Sequence, residues 1–407
     1  MPVLITHPTG NVFFRAAAQG FLDAGELQAL YTALAVFPST PLYKLASSLL
    51  AELKRRSLPV QFKKITHTLP WRELSRLIAA RAGATTLTRH ETGLFSVDAV
   101  YESLDKYVAK HLKTEIAGGL TALYAYEDGA YWSFKKAKAA GIQCVYDLPI
   151  GYWRAMHALL AEEKERNPEW AVTLGGLKDS PKKLNKKDEE LRMADSIFVA
   201  SSFTLKTLDY YPGILQQVKV IPYGFPPVQT KLYRPITGKL KLLFVGGLSQ
   251  RKGLSYLFKA VETLNDQVEL TIVGNGDINN CPVLRDALSR HNWIKTLSHE
   301  KVLELMRRND VLVFPSLFEG FGQVITEAMA QGTPVITTER TAGPDIITHG
   351  KNGWLVEAGS VEALKDCIEV LLQQPAVIEE AGTMAVKKAG ERSWEMYGRE
   401  LAAAINE

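Results

Sequence analysis

Apolar positions along the 407-residue chain gather into short runs that end in glycine or proline. In the second half these are KLLFVGG (Lys241 to Gly247), VELTIVG (Val268 to Gly274), DVLVFPS (Asp310 to Ser316) and TPVITT (Thr333 to Thr338). Each is long and continuous enough to be a strand buried on both faces. Stretches with helical spacing separate them, notably Gly253 to Leu264, LSHEKVLELMRRN and Gln323 to Gln331. Strands alternating with helices predict a parallel sheet covered on both sides, whose ligands bind beyond the carboxyl ends of its strands. The first half repeats the alternation less regularly. VLITH (Val3 to His7) enters a turn, Pro8 to Asn11, and a helix then runs to about Ala24. TALYAYE (Thr121 to Glu127), IQCVYDL (Ile142 to Leu148), SIFVAS (Ser196 to Ser201) and QVKVIPY (Gln217 to Tyr223) are the later strands. Pro222, Pro226, Pro227 and Pro235 disfavour regular structure between the halves, which marks a linker with its boundary near residue 226. The stretch ERSWEMYGRELAAAINE reads as a helix.

Length agrees with this division, because 407 residues exceed what one hydrophobic core commonly supports. The expected units are 1–225, 226–385 and a helix over 386–407. No uninterrupted apolar stretch is long enough to cross a bilayer. MPVLITHPTGN lacks the layout of a secretory leader. Cys144, Cys281 and Cys367 are far apart and form no CxxC pair, which argues against a zinc site or a disulfide framework. A reducing cytoplasm is the expected compartment. A net charge of +4 is too small to indicate a nucleic-acid binder. The positive excess lies in the first half, in the clusters Lys54-Arg55-Arg56, Lys63-Lys64 and Lys182 to Lys187. Solvated loops account for such clusters, and so does attraction to an anionic lipid surface or an acidic acceptor.

The strongest chemical signal is FEGFGQVITEAMAQG, in which Glu319 and Glu327 stand eight positions apart and Gly320, Phe321 and Gly322 follow the first. Glu319 is expected in the loop at the sheet's rim, and Glu327 in the early turns of the next helix. Free N–H groups at that helix start suit a diphosphate, and the glycines let the main chain approach it. The carboxylates would repel phosphate but accept hydrogen bonds from sugar and ribose hydroxyls. VGGLSQRKG places Gly246, Gly247, Arg251, Lys252 and Gly253 after a strand, where the cations can neutralise a departing diphosphate. IVGNGD adds the turn glycines Gly274 and Gly276. It is not GxGxxG, which leaves an ordinary NAD oxidoreductase without its fingerprint.

In order and spacing these motifs resemble the family 4 retaining glycosyltransferases of GT-B fold. VIPYG, ADSIFVASSFTLKTL and AGPDIITHGKNGWLV support the likeness. It implies an α/β fold of two Rossmann-like domains facing a central cleft. Residues 1–225 would bind the acceptor and 226–385 the nucleotide sugar, with the 386–407 helix packing back on the first domain. By that likeness Lys252 contacts the donor diphosphate, and Glu319 holds donor-sugar hydroxyls with main-chain help from Phe321 and Gly322. Glu327 then holds the ribose, and the Gly10-Asn11 turn approaches the donor from the other domain. The chain departs from the pattern twice. Gly247 stands where the family has an arginine, so Arg251 would supply that charge. VYDLPIGYW carries no histidine where the family often has one near the sugar. Asp128 and Asp147 are acceptor-side candidates, expected at strand ends facing the cleft.

There is no Asp-x-Asp in the chain, so neither a metal nor another cofactor is expected. The resulting expectation is a metal-independent, retaining, hexosyltransferase-type enzyme of polysaccharide or glycolipid assembly, cytoplasmic or peripheral at the inner face of a membrane. Its partners would be a nucleotide-sugar donor and a carbohydrate or glycolipid acceptor, and not nucleic acid. A sugar-nucleotide 2-epimerase of the same fold and a non-catalytic sugar-nucleotide-binding protein remain alternatives.

Overall fold

The computed structural model describes residues 1–38, 56–229, 231, 233 and 237–407. Lys54, Arg55 and Pro235 lie outside the described residues. Two parallel sheets form the frame. The first contains β1 (Val3–Thr6), β2 (Leu27–Thr32), β3 (Thr66–Thr68), β4 (Ala122–Tyr126), β5 (Gln143–Leu148), β6 (Ser196–Val199) and β7 (Gln217–Val220), in the order β3-β2-β1-β4-β5-β6-β7. The second contains β8 (Leu240–Val245), β9 (Val268–Val273), β10 (Asn292–Ile294), β11 (Val311–Phe314), β12 (Val335–Thr338) and β13 (Trp354–Val356), in the order β10-β9-β8-β11-β12-β13. The strand order reverses between β1 and β4 in one sheet and between β8 and β11 in the other. At such switch points neighbouring connections diverge to opposite faces and leave a crevice.

The helices used below are α1 (Val12–Asp23), α2 (Pro70–Arg81), α3 (Val97–Ala117), α4 (Tyr131–Ala139), α5 (Trp153–Arg166), α6 (Pro181–Met193), α7 (Leu254–Leu264), α8 (Gln323–Ala330), α9 (Ala376–Gly390) and α10 (Trp394–Ala404). Asn11 caps α1 by accepting the Phe14 N–H at 2.9 Å, satisfying one of the free donors of a helix start. Helix α10 lies directly across α1. A Cβ on Gly20 would fall 2.0 Å from the Gly398 carbonyl oxygen, so the crossing is backbone against backbone.

The segment between the sheets is fastened at several described points. Phe225 N–H donates to Arg392 O, Gln229 N–H to Ala330 O, and the Tyr233 hydroxyl to Gly332 O. The halves also meet through α5 and the 3-10 stretch Pro168–Thr173. Trp170 stacks on Phe258 of α7 with ring centroids 6.0 Å apart. Buried Glu163 of α5 accepts from Gln250 Nε2 and from the Tyr256 hydroxyl, both at 2.6 Å. No helix among the described residues is long and apolar enough to cross a membrane.

Candidate functional site

Two connections leave the β8/β11 switch point, and they are stitched together. After β8 the chain makes a 3-10 turn, Gln250–Lys252, and then Gly253 at φ +73°. A side chain on Gly253 would strike the Pro315 carbonyl, with Cβ at 2.0 Å, so glycine is what lets the two loops touch. Leu317 N–H donates to Arg251 O at 2.8 Å, and Ser316 Oγ to the same oxygen at 3.1 Å. From the other half, Thr173 Oγ1 accepts the Gln250 N–H at 2.9 Å. The turn that carries Arg251 and Lys252 is therefore held from two sides.

Those contacts bring Arg251, Lys252 and Glu319 together. Arg251 Nη1 donates to Phe318 O at 2.6 Å and lies 3.1 Å from Glu319 Oε2. Lys252 Nζ forms an ion pair with the same carboxylate oxygen and sits 4.7 Å from the Phe314 ring centroid. Burial, reinforced by the adjacent Arg251 charge, pulls the Lys252 ammonium well below its ordinary range. Burial also lowers Arg251. The two cations share the one Glu319 carboxylate.

Glu327 is not part of that cluster. It projects from α8, which begins after Gly322 at φ +86°. Its described ion-pair neighbour is His299, with Nδ1 3.9 Å from Oε1. Burial lifts the Glu327 carboxyl to about 7.

The glycines divide by what occupies the space beside them. Gly247 is open, with nothing within 4 Å of an added Cβ, and Gly10 (φ +58°) is equally open. Gly246 has only the edges of Phe244 and Phe314 nearby. At Gly274 an added Cβ would lie 1.9 Å from Gly246 O, and at Gly276 2.5 Å from Leu248 O, so both allow two loops to pack. At Gly320 the space belongs to Pro149 of the first half, 2.2 Å from an added Cβ, and Thr204 Oγ1 donates to the Gly320 carbonyl at 2.9 Å. These three were expected beside a donor, and in this conformation neighbouring backbone takes their place. The Phe321 ring is buried against Tyr223, with centroids 4.9 Å apart.

Tyr223 links Phe321 to α1, stacking on Phe13 with centroids 5.0 Å apart. Asn11 caps α1, and Arg15 Nη1 donates to Gly10 O at 3.0 Å. His7, immediately after β1, borders the turn from Pro8 to Asn11. Its Nδ1 accepts the Thr9 N–H at 3.1 Å, its ring meets Tyr126 at 4.6 Å, and burial depresses it to about 3, which keeps the imidazole neutral. A histidine at the carboxyl end of the first strand, three residues before a glycine turn, was the available signal.

The two aspartates expected to face the cleft do not do so freely. Asp147 is almost fully buried, accepts the Tyr124 hydroxyl at 2.5 Å, and is pushed up to about 7 by burial. Asp128, at φ +67°, pairs with Lys187 at 3.3 Å and Lys183 at 3.7 Å. The basic run Lys182 to Lys187 is likewise no free patch, because Lys183 and Lys186 also pair with Asp98 and Glu102. Arg56 is buried against Glu73. Among the described residues one trio, His90, Glu91 and Asp179, has metal-ligand atoms close together. Glu91 and Asp179 there already engage Ser180 and Lys183.

Residues 231–390, which carry the Arg251–Lys252–Glu319 cluster, match the family described as Glycosyl transferases group 1. The match takes in the second sheet and the helices around it. Among curated relatives, glycogen synthase of Mycobacterium tuberculosis is 28% identical over 201 residues, 46% of this chain and 48% of that one. D-inositol 3-phosphate glycosyltransferase of Pseudarthrobacter chlorophenolicus is 30% identical over 215 residues, 48% of this chain and 51% of that one. The matches thus span about half the length of those relatives. Over the whole chain the fold is that of solved glycosyltransferase structures. Sucrose-phosphate synthase of Thermosynechococcus elongatus superposes with a TM-score of 0.66 at 18% identity, covering 100% of this chain and 98% of that one. Anabaena HepE, solved with UDP, gives 0.63 at 16% identity and covers 100% of both. The α/β, GT-B class expected from the sequence is the one observed.

Proposed function

We propose that the protein is a retaining, metal-independent glycosyltransferase that moves a sugar from a nucleotide diphosphate donor to a carbohydrate or glycolipid acceptor. One observation carries this reading: two cations, buried Lys252 and partly buried Arg251, share the Glu319 carboxylate at a strand-end switch point. That excess of positive charge suits a diphosphate, whose negative charge grows as the glycosidic bond breaks. The phosphates would replace Glu319 as the partner of Lys252, freeing the carboxylate to accept hydrogen bonds from the donor sugar. Glu327, behind Gly322 on α8, would hold the ribose. The acceptor hydroxyl would attack from the face the diphosphate leaves, passing its proton to the departing phosphate oxygen. Retention and the family 4 assignment rest on the sequence resemblance, and the lack of a metal on the absence of an Asp-x-Asp pair. UDP is the first nucleotide to try, because HepE was solved with it.

The test is a thermal-shift panel of nucleoside diphosphates and their sugars with EDTA present. A rise of several degrees for one base in the wild type, absent from Lys252→Ala, is expected, because a ligand that binds only the folded state raises its melting temperature. Equal shifts in both proteins, or none with any nucleotide, would overturn the assignment.

A further inference from the structure

Large apolar side chains left in water concentrate in one short region. Trp71 (48% exposed), Leu74 (37%) and Ile78 (67%) recur along α2 at spacings of three and four, which places them on one face of that helix. Leu87, Leu94 and Val97 are exposed as well. The two groups adjoin: Trp71 meets Phe95 edge-on, with centroids 6.3 Å apart, and Arg72 Nη1 donates to Leu94 O at 2.7 Å. A contiguous apolar surface of this kind is uncommon on a protein that meets only water.

Its charge is as one-sided as its hydrophobicity. Residues 60–97 hold six Lys and Arg against two Glu. Lys63, Lys64, Arg81 and Arg89 are exposed, and Arg72 covers the Trp71 ring at 4.6 Å. The neighbouring acids are engaged elsewhere: Glu73 is buried with Arg56 and Arg76, Glu91 accepts from Ser180, and Asp98 pairs with Lys183. The helix follows β3, the edge strand of the first sheet, so the region lies at the margin of that sheet.

From this juxtaposition we infer that the α2 face and the adjoining 87–97 segment dock on an anionic lipid bilayer. Trp71, Leu74 and Ile78 enter the boundary between headgroups and acyl chains, and Arg72, Arg81 and Arg89 contact lipid phosphates. A helix with one apolar face, an aromatic anchor and a basic rim lies in the membrane plane and does not span it. Its cations add the attraction of the negative surface, which weakens with salt. Of the basic clusters in the sequence, Lys63-Lys64 is exposed at both lysines and belongs to this stretch, whereas among the lysines of Lys182 to Lys187 only Lys182 is exposed. The inference is independent of the transfer chemistry, because docking requires neither donor nor acceptor.

Flotation of the full chain with vesicles tests it, using phosphatidylcholine alone and with about a third of the lipid replaced by phosphatidylglycerol. The wild type is expected to float with the anionic vesicles and to be released by high salt. Trp71→Ser/Leu74→Ser/Ile78→Ser should bind at least about tenfold more weakly with an unchanged melting curve. Arg72→Glu/Arg81→Glu should lose the preference for phosphatidylglycerol. Three results would overturn the inference: no flotation of the wild type, equal flotation of the triple variant, or a concentration-dependent dimer that the triple variant abolishes. The last would make the face a contact between copies of the chain.

Discussion

Two lysines are almost equally buried in the two halves, and their surroundings push them in opposite directions. Lys187 of α6 meets Glu127 at 3.0 Å and Asp128 at 3.3 Å, with Asp179 at 4.0 Å, and these carboxylates hold its charge more firmly than water would. Lys252 has one carboxylate, which it shares with Arg251, and its ammonium is pulled down. Burial is nearly the same, so the difference lies in the count of nearby charges. A buried cation surrounded by anions completes a structure. One left short of anions has a place for a ligand, and removing it strands nothing.

The sharpest way to break this contrast is to remove each ammonium. Lys187→Met leaves buried Glu127 without its ion-pair partner and Asp128 with Lys183 at 3.7 Å, and should cost about 3–5 kcal/mol in chemical denaturation. Lys252→Ala should change stability little, yet lower kcat/KM for sugar transfer about 100- to 1000-fold, the scale of losing one oriented charge at a leaving group. Interchanged outcomes, with Lys252 the structural residue, would end the comparison. The carboxylates extend it. Glu327 is held near 7 by burial, so the folded state keeps a proton that the unfolded chain releases at about 4.5. A raised carboxyl of this kind gives stability that is whole below the unfolded value and is lost as pH rises through 7. The loss is about 3 kcal/mol. Glu327→Gln should flatten that slope in melts taken from pH 4 to 8, and an unchanged slope would place the titrating group elsewhere. The smallest effect is expected at Asn11→Ala, which removes the α1 cap for about 1 kcal/mol. A weaker affinity for the nucleotide sugar beyond that change, measured by calorimetry, would make Asn11 a donor contact as well as a cap.

How far the sequence revealed this structure depended on where each signal was stored. Strands β8, β9, β11 and β12 are short apolar runs ending at glycine, proline or a turn, and they were legible because burial on both faces demands such runs. Strands β3 (THT) and β10 (NWI) lie at sheet edges, are three residues long and carry almost no apolar pattern. Strand β2 was missed although its last four residues are buried, because LQALYT also fits a helix. The meeting of Arg251, Lys252 and Glu319 was readable, since topology alone brings two strand-end loops to one switch point. The partners of Lys183 and Lys187 were not. A run of six residues with four lysines looks solvated until Asp98, Glu127 and Asp128, some 55 to 90 positions earlier, fold against it. Asp147 was misplaced for a similar reason, because the tyrosines that enclose it come from β4 and from distant parts of the chain.

The bare crossing of α1 and α10 has a consequence for the order in which the protein is made. Tyr397 and Leu401 complete the core around Phe14, Phe21 and Tyr124, and Gly398 seats α10 where no side chain would fit. During synthesis, α1 emerges first and α10 some 370 residues later. The side of the first sheet that α1 covers therefore waits, incompletely sealed, while the whole second sheet is translated. The half that leaves the ribosome first is finished only once α10 has been made, and apolar surface left open in the meantime favours aggregation.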